Sequence, residues 1–341
     1  MGGKLNGDPR AVEIPGTGTI ELFYRGSDDA LVTRWRDPVS GWSPEVYMGG
    51  VLASDPFAAA APPGWMARVP DDRKLSQLSL PGTHESCTAF ITPIASAQAW
   101  SLQTQLEHGI RYVDIRCRHI DDGFAIHHDE VYVGFNFGEG VRDVCVNFLQ
   151  AHPTECIVMQ VKHEYIDGGD NALTFQEVFD NYVQGFESFF YLDDHVPTLG
   201  EVRGKIVVVR RFDLDNGSGP RGLVPLTWGD NQTFKIQYPA GTGEIVTFNI
   251  QDQYAVDPAN LGAKWSEVQA LLYQASTDTS DAWYINFASG WSAGAYPNVV
   301  AAHINPPLSD FVDGTYPARL GTLMLDFPDD NLITRIVNLN I

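Results

Sequence analysis

The stretch LSLPGTHES, residues 78–86, shows how this chain places its reactive groups. Its leucines are typical of a buried strand, and Pro81 and Gly82 are expected to end that strand. His84 and Glu85 follow almost directly. An imidazole beside a carboxylate just past a strand is either a polar turn or one edge of an active site.

The same plan recurs along the rest of the chain. Short apolar runs alternate with helical patterns at residues 101–110 and 141–152, and Gly109 is a plausible end for the first helix. The candidate strands are residues 77–80, 112–116, 124–128, 156–162, 205–211, 247–252, 283–287 and 323–327.

Strands separated by helices in this way predict an α/β fold. The number of strands favours a distorted (β/α)8 TIM barrel, which we place at residues 66–341 as the catalytic domain. The long gaps around residues 213–246 and 253–282 predict an irregular barrel. In this class of fold the active site lies at the C-terminal ends of the strands.

Residues 1–65 have a different pattern. IELFYRGSDDALVTRW, residues 20–35, alternates around the turn GSDDA, which is typical of a β hairpin. The segment resembles one blade of the propeller repeats of some bacterial lectin-like and secreted proteins, but no second copy follows, and one blade cannot bury its faces alone. We expect a small β hairpin appendage and a linker at residues 58–65, with carbohydrate binding left open.

The composition limits the partners of the protein. Of 341 residues, 43 are acidic and 22 are basic, which gives a formal net charge of -21. Such a surface repels phosphate backbones, so we expect no nucleic-acid partner. No apolar run is long enough to predict a membrane-spanning helix, and MGGKLNGDPR, residues 1–10, has no signal-peptide pattern.

The cysteines predict no metal site. They lack CxxC spacing and no histidine cluster stands at metal-ligand intervals, so each is expected to be a small buried apolar residue. Cys87 and Cys117 could lie close enough to form a disulfide, which the sequence leaves open. The cysteines are Cys87, Cys117, Cys145 and Cys156.

Nearly every candidate strand ends in a charged or hydrogen-bonding residue. In a parallel barrel these ends share one rim, and charges buried together must pair or bind a ligand. The residues concerned are His84, Glu85, Asp114, Arg116, His128, Asp129, Lys162, Glu164, Arg211, Asp252, Tyr254, Asn286 and Asp326.

This mixture indicates phosphodiester chemistry assisted by histidine. Two histidines beside carboxylates suit general base and general acid catalysis near neutral pH. Arg116, Lys162 and Arg211 can neutralise a phosphate. No HExxH, P-loop or GxGxxG after a strand is found, and Arg116 stands where a divalent metal would. We expect no cofactor, no metal and a substrate that carries hydroxyl groups.

These residues resemble the bacterial phosphatidylinositol-specific phospholipases C and their X-domain relatives. LSLPGTHES resembles the first-histidine motif of that family, and FAIHHDEVY, residues 124–132, its second-histidine strand. The similarity runs from about residue 72 to the C-terminus in the same order. The other matching segments are YVDIRCR (112–118), CIVMQVKHEY (156–165), RGKIVVVRRF (203–212), NIQDQY (249–254) and LMLDF (323–327).

The resemblance implies a two-step cleavage of phosphatidylinositol. The inositol 2-hydroxyl attacks phosphorus and releases diacylglycerol, and the inositol 1,2-cyclic phosphate is then slowly hydrolysed. On the matching positions His84 is the general base, held by Asp326, and His128 is the general acid. Arg116 contacts the phosphate, as calcium does in metal-dependent relatives, and Asp114 supports it. The residues implied to bind inositol are Lys162, Arg211, Asp252 and Tyr254.

Two positions depart from the family pattern. Glu85 stands where the family has aspartate; its longer side chain still offers a catalytic carboxylate but must draw back. Asp129 follows the second histidine in place of glycine, which leaves the choice between His127 and His128 open.

The resemblance extends to a membrane rim. SGWSAGAY, residues 289–296, resembles the rim loop that carries an exposed tryptophan, so Trp291 and Tyr296 are expected to enter the lipid interface. The resemblance also implies a secreted, extracellular monomer that meets the membrane surface transiently.

Two other functions stay open. A relative of glycerophosphodiester phosphodiesterase or sphingomyelinase D shares the barrel and the paired histidines, but it needs acidic metal ligands where Arg116 stands. A catalytically inactive sugar- or lipid-binding module that uses the N-terminal hairpin would leave both histidines and Asp326 without a purpose.

Overall fold

The chain divides into two compact units, Met1–Ala60 and Ala61–Ile341. The computed structural model describes residues 10–14, 19–25, 31–37, 41–42, 46–49, 61–89, 91–92, 95–215, 219–224, 228–314, 316 and 318–341. Residues 61–65, which the sequence assigns to a linker, begin the second unit, where Trp65 is buried and donates a hydrogen bond to the carbonyl of Gly109.

The first unit contains an antiparallel sheet. Its strands pair in the order β1-β2-β3-β4, and β5 pairs with β3. Strands β2 and β3 lie on either side of the predicted turn at residues 26–30. The strands are β1 (Arg10–Ile14), β2 (Thr19–Arg25), β3 (Leu31–Asp37), β4 (Gly41–Trp42) and β5 (Val46–Gly49).

The second unit is built on one large sheet. Its strands are β6 (Leu80–Thr83), β7 (Tyr112–Ile120), β8 (Gly123–His128), β9 (Val131–Asn136), β10 (Ile157–His163), β11 (Phe190–Tyr191), β12 (Ile206–Arg211), β13 (Gln232–Pro239), β14 (Ile245–Asp252), β15 (Trp283–Phe287) and β16 (Thr322–Leu325). They follow the order β11-β12-β10-β7-β6-β16-β15-β14-β13. Every pair in this path is parallel except β13 with β14.

The segment at residues 124–128 is not a parallel barrel strand, contrary to the sequence prediction. It forms β8, which pairs antiparallel with β7 and then with β9. The turn between β7 and β8 contains Asp121 and Asp122, both with positive φ. Two such residues followed by glycine form the tight turn that returns a strand antiparallel. The eighth parallel strand of the path is the short β11 instead.

The two edge strands of the described sheet, β11 and β13, do not pair with each other, so backbone hydrogen bonds do not close the barrel. Side chains bridge the opening. The hydroxyl of Tyr238 on β13 donates to the carbonyl of Asp194 at 2.8 Å and accepts from the amide of Val224 at 3.2 Å. The segment around Leu223 in turn pairs with β12. The irregular closure falls within the long gap that the sequence contains at residues 213–246.

Helices cover the outer face of the sheet. The predicted helices at residues 101–110 and 141–152 are confirmed as α1 and α2. Ser101 caps the first, because its hydroxyl accepts from the amide of Thr104. The helices are α1 (Leu102–Glu107), α2 (Asp143–Ala151), α3 (Phe175–Val183), α4 (Leu199–Val202), α5 (Leu261–Thr277), α6 (Pro297–Val312) and α7 (Asp330–Asn338).

Two large apolar clusters hold these layers together. The larger contains the strands from β6 to β15 with α1, α2 and α3. The second joins α5, α6 and α7 to β16, with Val268, Ile304 and Leu323 fully buried. Because helices and strands share these buried clusters, the strands that carry the C-terminal rim are held by a packed core.

Candidate active site

The first histidine is placed by a strand that continues through proline and glycine. Strand β6 spans Leu80–Thr83, whereas the sequence predicts an end at residue 80. The carbonyl of Pro81 still accepts a backbone bond from Arg111. A side chain at position 82 would come within about 3.0 Å of Met324 and Tyr112, so glycine permits the close approach of the strands.

His84 is held between a carboxylate and a guanidinium. Its Nδ1 lies 2.9 Å from Oδ1 of Asp326, and its Nε2 lies 3.1 Å from Nη2 of Arg116. Because arginine only donates, Nε2 is the acceptor and the proton of the neutral ring sits on Nδ1, facing Asp326. Burial alone would lower the pKa of His84, but the charges of Asp326 and Glu85 raise it above its ordinary value.

Asp326 supports His84 from a fully buried position. Its side chain is 1% exposed, and Oδ2 has no hydrogen-bond partner among the described residues. Burial raises the pKa of Asp326, and the neighbouring His84 only partly offsets this. Oδ1 of Asp326 therefore binds the imidazole of His84, and Oδ2 lies in the low-dielectric interior.

Arg116 is surrounded by three carboxylates. Its guanidinium lies 2.7 Å from Oε1 of Glu85, 3.2 Å from Oδ2 of Asp114 and 3.5 Å from Oε1 of Glu164. Burial opposes the charge, but these acids raise the pKa of Arg116 well above its ordinary value. Asp114 is fixed in turn by Gln160, whose amide donates to it at 2.7 Å. The guanidinium is thus permanently charged and oriented.

Glu85 connects Arg116 to the second histidine. While Oε1 pairs with Arg116, Oε2 accepts a hydrogen bond from Nδ1 of His128. Burial raises the pKa of Glu85, but the charges of Arg116 and His84 outweigh burial and lower it to about 2. The longer glutamate side chain therefore spans both groups, with its backbone in the left-handed region at φ 44°.

The structure separates the two adjacent histidines. His128 contacts Glu85, whereas His127 is 4% exposed and its Nδ1 lies 3.2 Å from the carbonyl of Asp129. Asp129 has φ 49°, a conformation that glycine adopts most easily and aspartate tolerates. Its amide donates to Glu164 at 3.4 Å, which ties the turn after His128 to the site.

The cationic side of the site is formed by β10 and β12. Lys162 lies 2.5 Å from Oε2 of Glu164, and burial lowers its pKa. The guanidinium of Arg211 stacks on the ring of Trp228 at 3.7 Å, and burial lowers its pKa to about 10. Trp228 also donates to Oδ2 of Asp252 at 2.7 Å.

A cavity of about 350 Å³ opens beside these cations. It is large enough for a six-membered polyol ring, and stacking on an aromatic face together with charged donors suits such a ligand. The residues that line it are Lys162, His163, Tyr165, Arg210, Arg211, Phe212, Asp213 and Trp228.

Exposed aromatic side chains surround the mouth. Tyr254 is 42% exposed, and its hydroxyl donates to Asp230 at 2.8 Å. The amide of Trp291 donates to the carbonyl of Tyr254, which places the two residues side by side. Trp291 is half exposed and Tyr296 is more than a third exposed. Ile166, on the loop after β10, is also exposed and was not expected at the rim.

Other expectations concern cysteines, metals and membranes. All four cysteines, including Cys87 and Cys117, are free and buried, so the possible disulfide is not formed. Within the part of the chain that the structure describes, no group of three or more histidine, cysteine, aspartate or glutamate side chains is arranged to hold a metal ion. No helix among the described residues is long and apolar enough to cross a membrane.

Two side chains next to the site, those of Trp228 and Lys264, are not predicted by any pattern in the sequence. Trp228 lies in an irregular loop and Lys264 in a helix, and neither follows a strand. Their contacts with Asp252 and Gln251 join residues far apart in the chain. The only signal at residue 264 is a lysine among apolar helix positions, which by itself predicts no function.

An α/β barrel with two histidine–carboxylate pairs around one arginine at its strand ends is the arrangement of a phosphodiester-cleaving enzyme. Comparison with known proteins agrees. The family model for the phosphatidylinositol-specific phospholipase C, X domain, matches residues 83–212. The chain belongs to the phosphatidylinositol-specific phospholipase C family, which confirms the resemblance found in the sequence.

Named relatives cover most of the chain. The 1-phosphatidylinositol phosphodiesterase of Staphylococcus aureus (strain Newman) is 30% identical over 325 residues, which cover 89% of this chain and 100% of that protein. The Listeria monocytogenes protein of the same name is 30% identical over 288 residues, which cover 81% and 84% of the two chains.

Solved structures show the same fold. A structure of the S. aureus phosphatidylinositol-specific phospholipase C, from work on its membrane binding, has a TM-score of 0.72 at 30% identity and covers 82% of this chain and 98% of that one. The L. monocytogenes enzyme has a TM-score of 0.66 at 28% identity, with the same coverage. The predicted fold class, a distorted barrel, is confirmed.

Proposed function

We propose that this chain cleaves phosphatidylinositol to diacylglycerol and inositol 1,2-cyclic phosphate without a metal ion, using residues 66–341. The observation that carries the proposal is the continuous contact path from Asp326 through His84, Arg116 and Glu85 to His128. It links one imidazole to Arg116 and a second to the carboxylate that pairs with Arg116, and a general base and a general acid beside one cation are what phosphodiester cleavage requires. The relatives named for this activity support the substrate class.

In the first step His84 acts as the general base. Its Nε2 takes the proton of the inositol 2-hydroxyl, and that oxygen forms a bond to phosphorus. The bond from phosphorus to the diacylglycerol oxygen breaks, and His128 gives its proton to the leaving oxygen. Asp326 keeps the proton of the neutral His84 ring on Nδ1, so Nε2 is the unprotonated nitrogen that can act as the base.

Hydrolysis of the cyclic phosphate reverses the roles. His128, now neutral, takes a proton from water, whose oxygen attacks phosphorus. The bond to the inositol 2-oxygen breaks and His84 returns the proton to it. The ionised Glu85, whose pKa is lowered to about 2, stabilises the imidazolium of His128 before it protonates the diacylglycerol oxygen and after it takes the proton of water.

Arg116 stabilises the negative charge that develops on the phosphoryl oxygens. Its mostly buried side chain is held by Glu85 and Asp114, so it needs little reorganisation during the reaction. In relatives that use calcium a metal would supply this charge. We assign Arg116 to the phosphate and Asp114 to its orientation.

Inositol recognition is assigned to the cationic side of the mouth. Lys162, Arg211 and Asp252 would hydrogen-bond the ring hydroxyls, and Tyr254 would stack on the ring face. The support is that Lys162 and Arg211 line the cavity and that Arg211 stacks on Trp228, which in turn donates a hydrogen bond to Asp252.

The lipid surface is assigned to the aromatic rim. Trp291 and Tyr296 would bury their rings among headgroups, which offsets the repulsion between a protein of net charge -21 and anionic lipid. We place the enzyme outside the cell, as a monomer that meets the membrane transiently and binds no nucleic acid.

Turnover of soluble inositol 1,2-cyclic phosphate, with and without EDTA, tests the proposal. Activity that resists EDTA supports it. Activity that EDTA removes would favour a metal-dependent phosphodiesterase, and no activity on this substrate or on phosphatidylinositol vesicles would favour a binding module.

A further inference from the structure

Lys264 is a buried cation in an unfavourable place. It lies in the first turn of α5 and is 4% exposed. The start of a helix favours anions, and burial disfavours any charge, so both effects oppose an ammonium group here. Burial lowers the pKa of Lys264 to about 7. A residue that costs stability in two ways is often present for function.

The ammonium group of Lys264 binds the end of β14. It donates to the carbonyl of Gln253 at 2.8 Å and to Oε1 of Gln251 at 3.1 Å. The amide nitrogen of Gln251 donates to Oδ1 of Asn286 at 2.9 Å and to the carbonyl of Phe287 at 2.8 Å. One buried network thus joins α5 to the C-terminal ends of β14 and β15.

This network lies directly behind the residues assigned to inositol. Gln253 is the residue between Asp252 and Tyr254, so its carbonyl fixes the backbone of both. Phe287, whose carbonyl accepts from Gln251, has its ring centroid 6.1 Å from that of His84 and 6.0 Å from that of Trp228, both in edge-to-face contact. A shift of Gln251 would therefore move the inositol side of the mouth.

The charge of Lys264 also faces two acids of the site. The negative charges of Asp252 and Asp326 act on it, and both raise its pKa against the effect of burial. Asp326 has one buried oxygen without a hydrogen-bond partner among the described residues. Lys264 thus supplies positive charge near both acids.

We propose that Lys264 is a positioning residue that holds Asp252 and Tyr254 in the geometry that binds inositol. The proposal rests on the function proposed above. Lys264 itself does not contact substrate. Its substitution should weaken inositol binding and leave the chemical step nearly unchanged, because His84, His128 and Arg116 are held by other contacts.

The fold does not need this lysine for its stability. In Lys264→Met the buried charge is removed, and Oε1 of Gln251 still accepts from the amide of Gln253 at 2.7 Å. Replacing a buried charge with an apolar side chain of similar size is often neutral or stabilising. A merely structural lysine would give the opposite pattern, with lower stability and unchanged substrate binding.

The kinetic test compares Lys264→Met with Val268→Ala, a cavity-creating change one turn further along α5. For Lys264→Met we expect KM for soluble inositol 1,2-cyclic phosphate to rise about tenfold, kcat to stay within about threefold and the melting temperature to be unchanged or higher. Val268→Ala should melt at a lower temperature with an unchanged KM. An unchanged KM in Lys264→Met overturns the proposal. If that variant does not fold, Lys264→Gln replaces it, with the same expected rise in KM.

A second readout separates this proposal from the proposed function. Amide hydrogen exchange at residues 251–254 should be faster in Lys264→Met than in the unsubstituted protein and Val268→Ala. Myo-inositol, used as the binding probe, should bind Lys264→Met more weakly. If the unsubstituted protein neither turns over the cyclic phosphate nor binds myo-inositol, the proposed function fails. Unchanged exchange at residues 251–254 rejects the role of Lys264 in either case.

Discussion

Glu85 lies 2.7 Å from Arg116 through one carboxylate oxygen and accepts a hydrogen bond from His128 through the other. This one side chain joins the guanidinium of Arg116 and the imidazole of His128 in one contact network. Since the charges of Arg116 and His84 lower the pKa of Glu85 to about 2, the carboxylate stays ionised over the working range of any histidine enzyme.

Substitutions that shorten or neutralise the side chain of Glu85 should lower activity. Glu85→Gln removes the charge that stabilises the imidazolium of His128, and we expect kcat to fall by about 10²–10⁴. Glu85→Asp keeps the charge but is one methylene shorter and cannot span both partners, so a smaller loss is expected. Turnover of soluble inositol 1,2-cyclic phosphate measures both. Equal activity of Glu85→Gln and the unsubstituted protein would refute the role of Glu85.

The two site histidines should each be indispensable. His84→Ala and His128→Ala are expected to lose about 10²–10⁴ in kcat with the fold intact, because each removes one proton transfer. His127→Ala is the matched control, since His127 is the neighbour of His128 and contacts Asp129 instead of Glu85. If His127→Ala lost as much activity as His128→Ala with its fold intact, the assignment of the general acid to His128 in preference to His127 would be contradicted.

Asp326 should control the acid side of the pH profile. A general base must be neutral, and the charge of Asp326 helps to raise the pKa of His84, so activity is lost as pH falls through that raised pKa. In Asp326→Asn the attraction is gone and the pKa of His84 falls. The acid limb of kcat/KM should therefore move to lower pH, while kcat decreases because Nδ1 is no longer oriented. A limb that stays in place would show that His84 is not the titrating base.

Replacing Arg116 with aspartate is expected to create a metal site at its position. In Arg116→Asp a fourth carboxylate joins Glu85, Asp114 and Glu164, a set of oxygen ligands that suits calcium. Activity should be lost in EDTA and return in part with millimolar calcium. Arg116→Ala is the control, which calcium should not restore. Activity indifferent to both the substitution and calcium would show that Arg116 does not bind the phosphate.

The aromatic rim formed by Trp291 and Tyr296 should affect activity only when the substrate lies in a bilayer. Trp291→Ala and Tyr296→Ala are expected to raise the apparent KM for phosphatidylinositol vesicles about tenfold and to leave soluble cyclic phosphate turnover unchanged. Ile245→Ala is a suitable control, because Ile245 is a more exposed apolar residue but begins β14, at the opposite end of the strands. Equal loss on both substrates would place the two aromatic residues in folding instead.

Which polar residues follow apolar runs could be predicted from the sequence, but the extent and direction of every strand that carries them could not. His84 and Asp326 directly follow β6 and β16, whereas Arg116 lies inside β7, which continues to Ile120 beyond the predicted end at residue 116. The reversal at Asp121 and Asp122 depends on a tight turn, for which DDG at residues 121–123 is a local signal, but the apolar run that follows is equally typical of a parallel strand.

Contacts between distant segments could not be predicted. Strand β6 continues through Pro81 and Gly82 only because β7 and β16 pair on both sides of it. Trp228 meets Arg211 through an irregular loop, and Lys264 reaches Gln251 from a helix. In each case the partner is fixed by the tertiary fold, and no local pattern records it.

The most direct test of the two-histidine mechanism varies the leaving group. An inositol phosphodiester with a p-nitrophenol leaving group needs little protonation, whereas an alkyl ester needs a general acid. The account predicts that His128→Ala loses far more activity on the alkyl ester than on the p-nitrophenyl ester, while His84→Ala loses equally on both. Equal losses for His128→Ala on the two esters would contradict it.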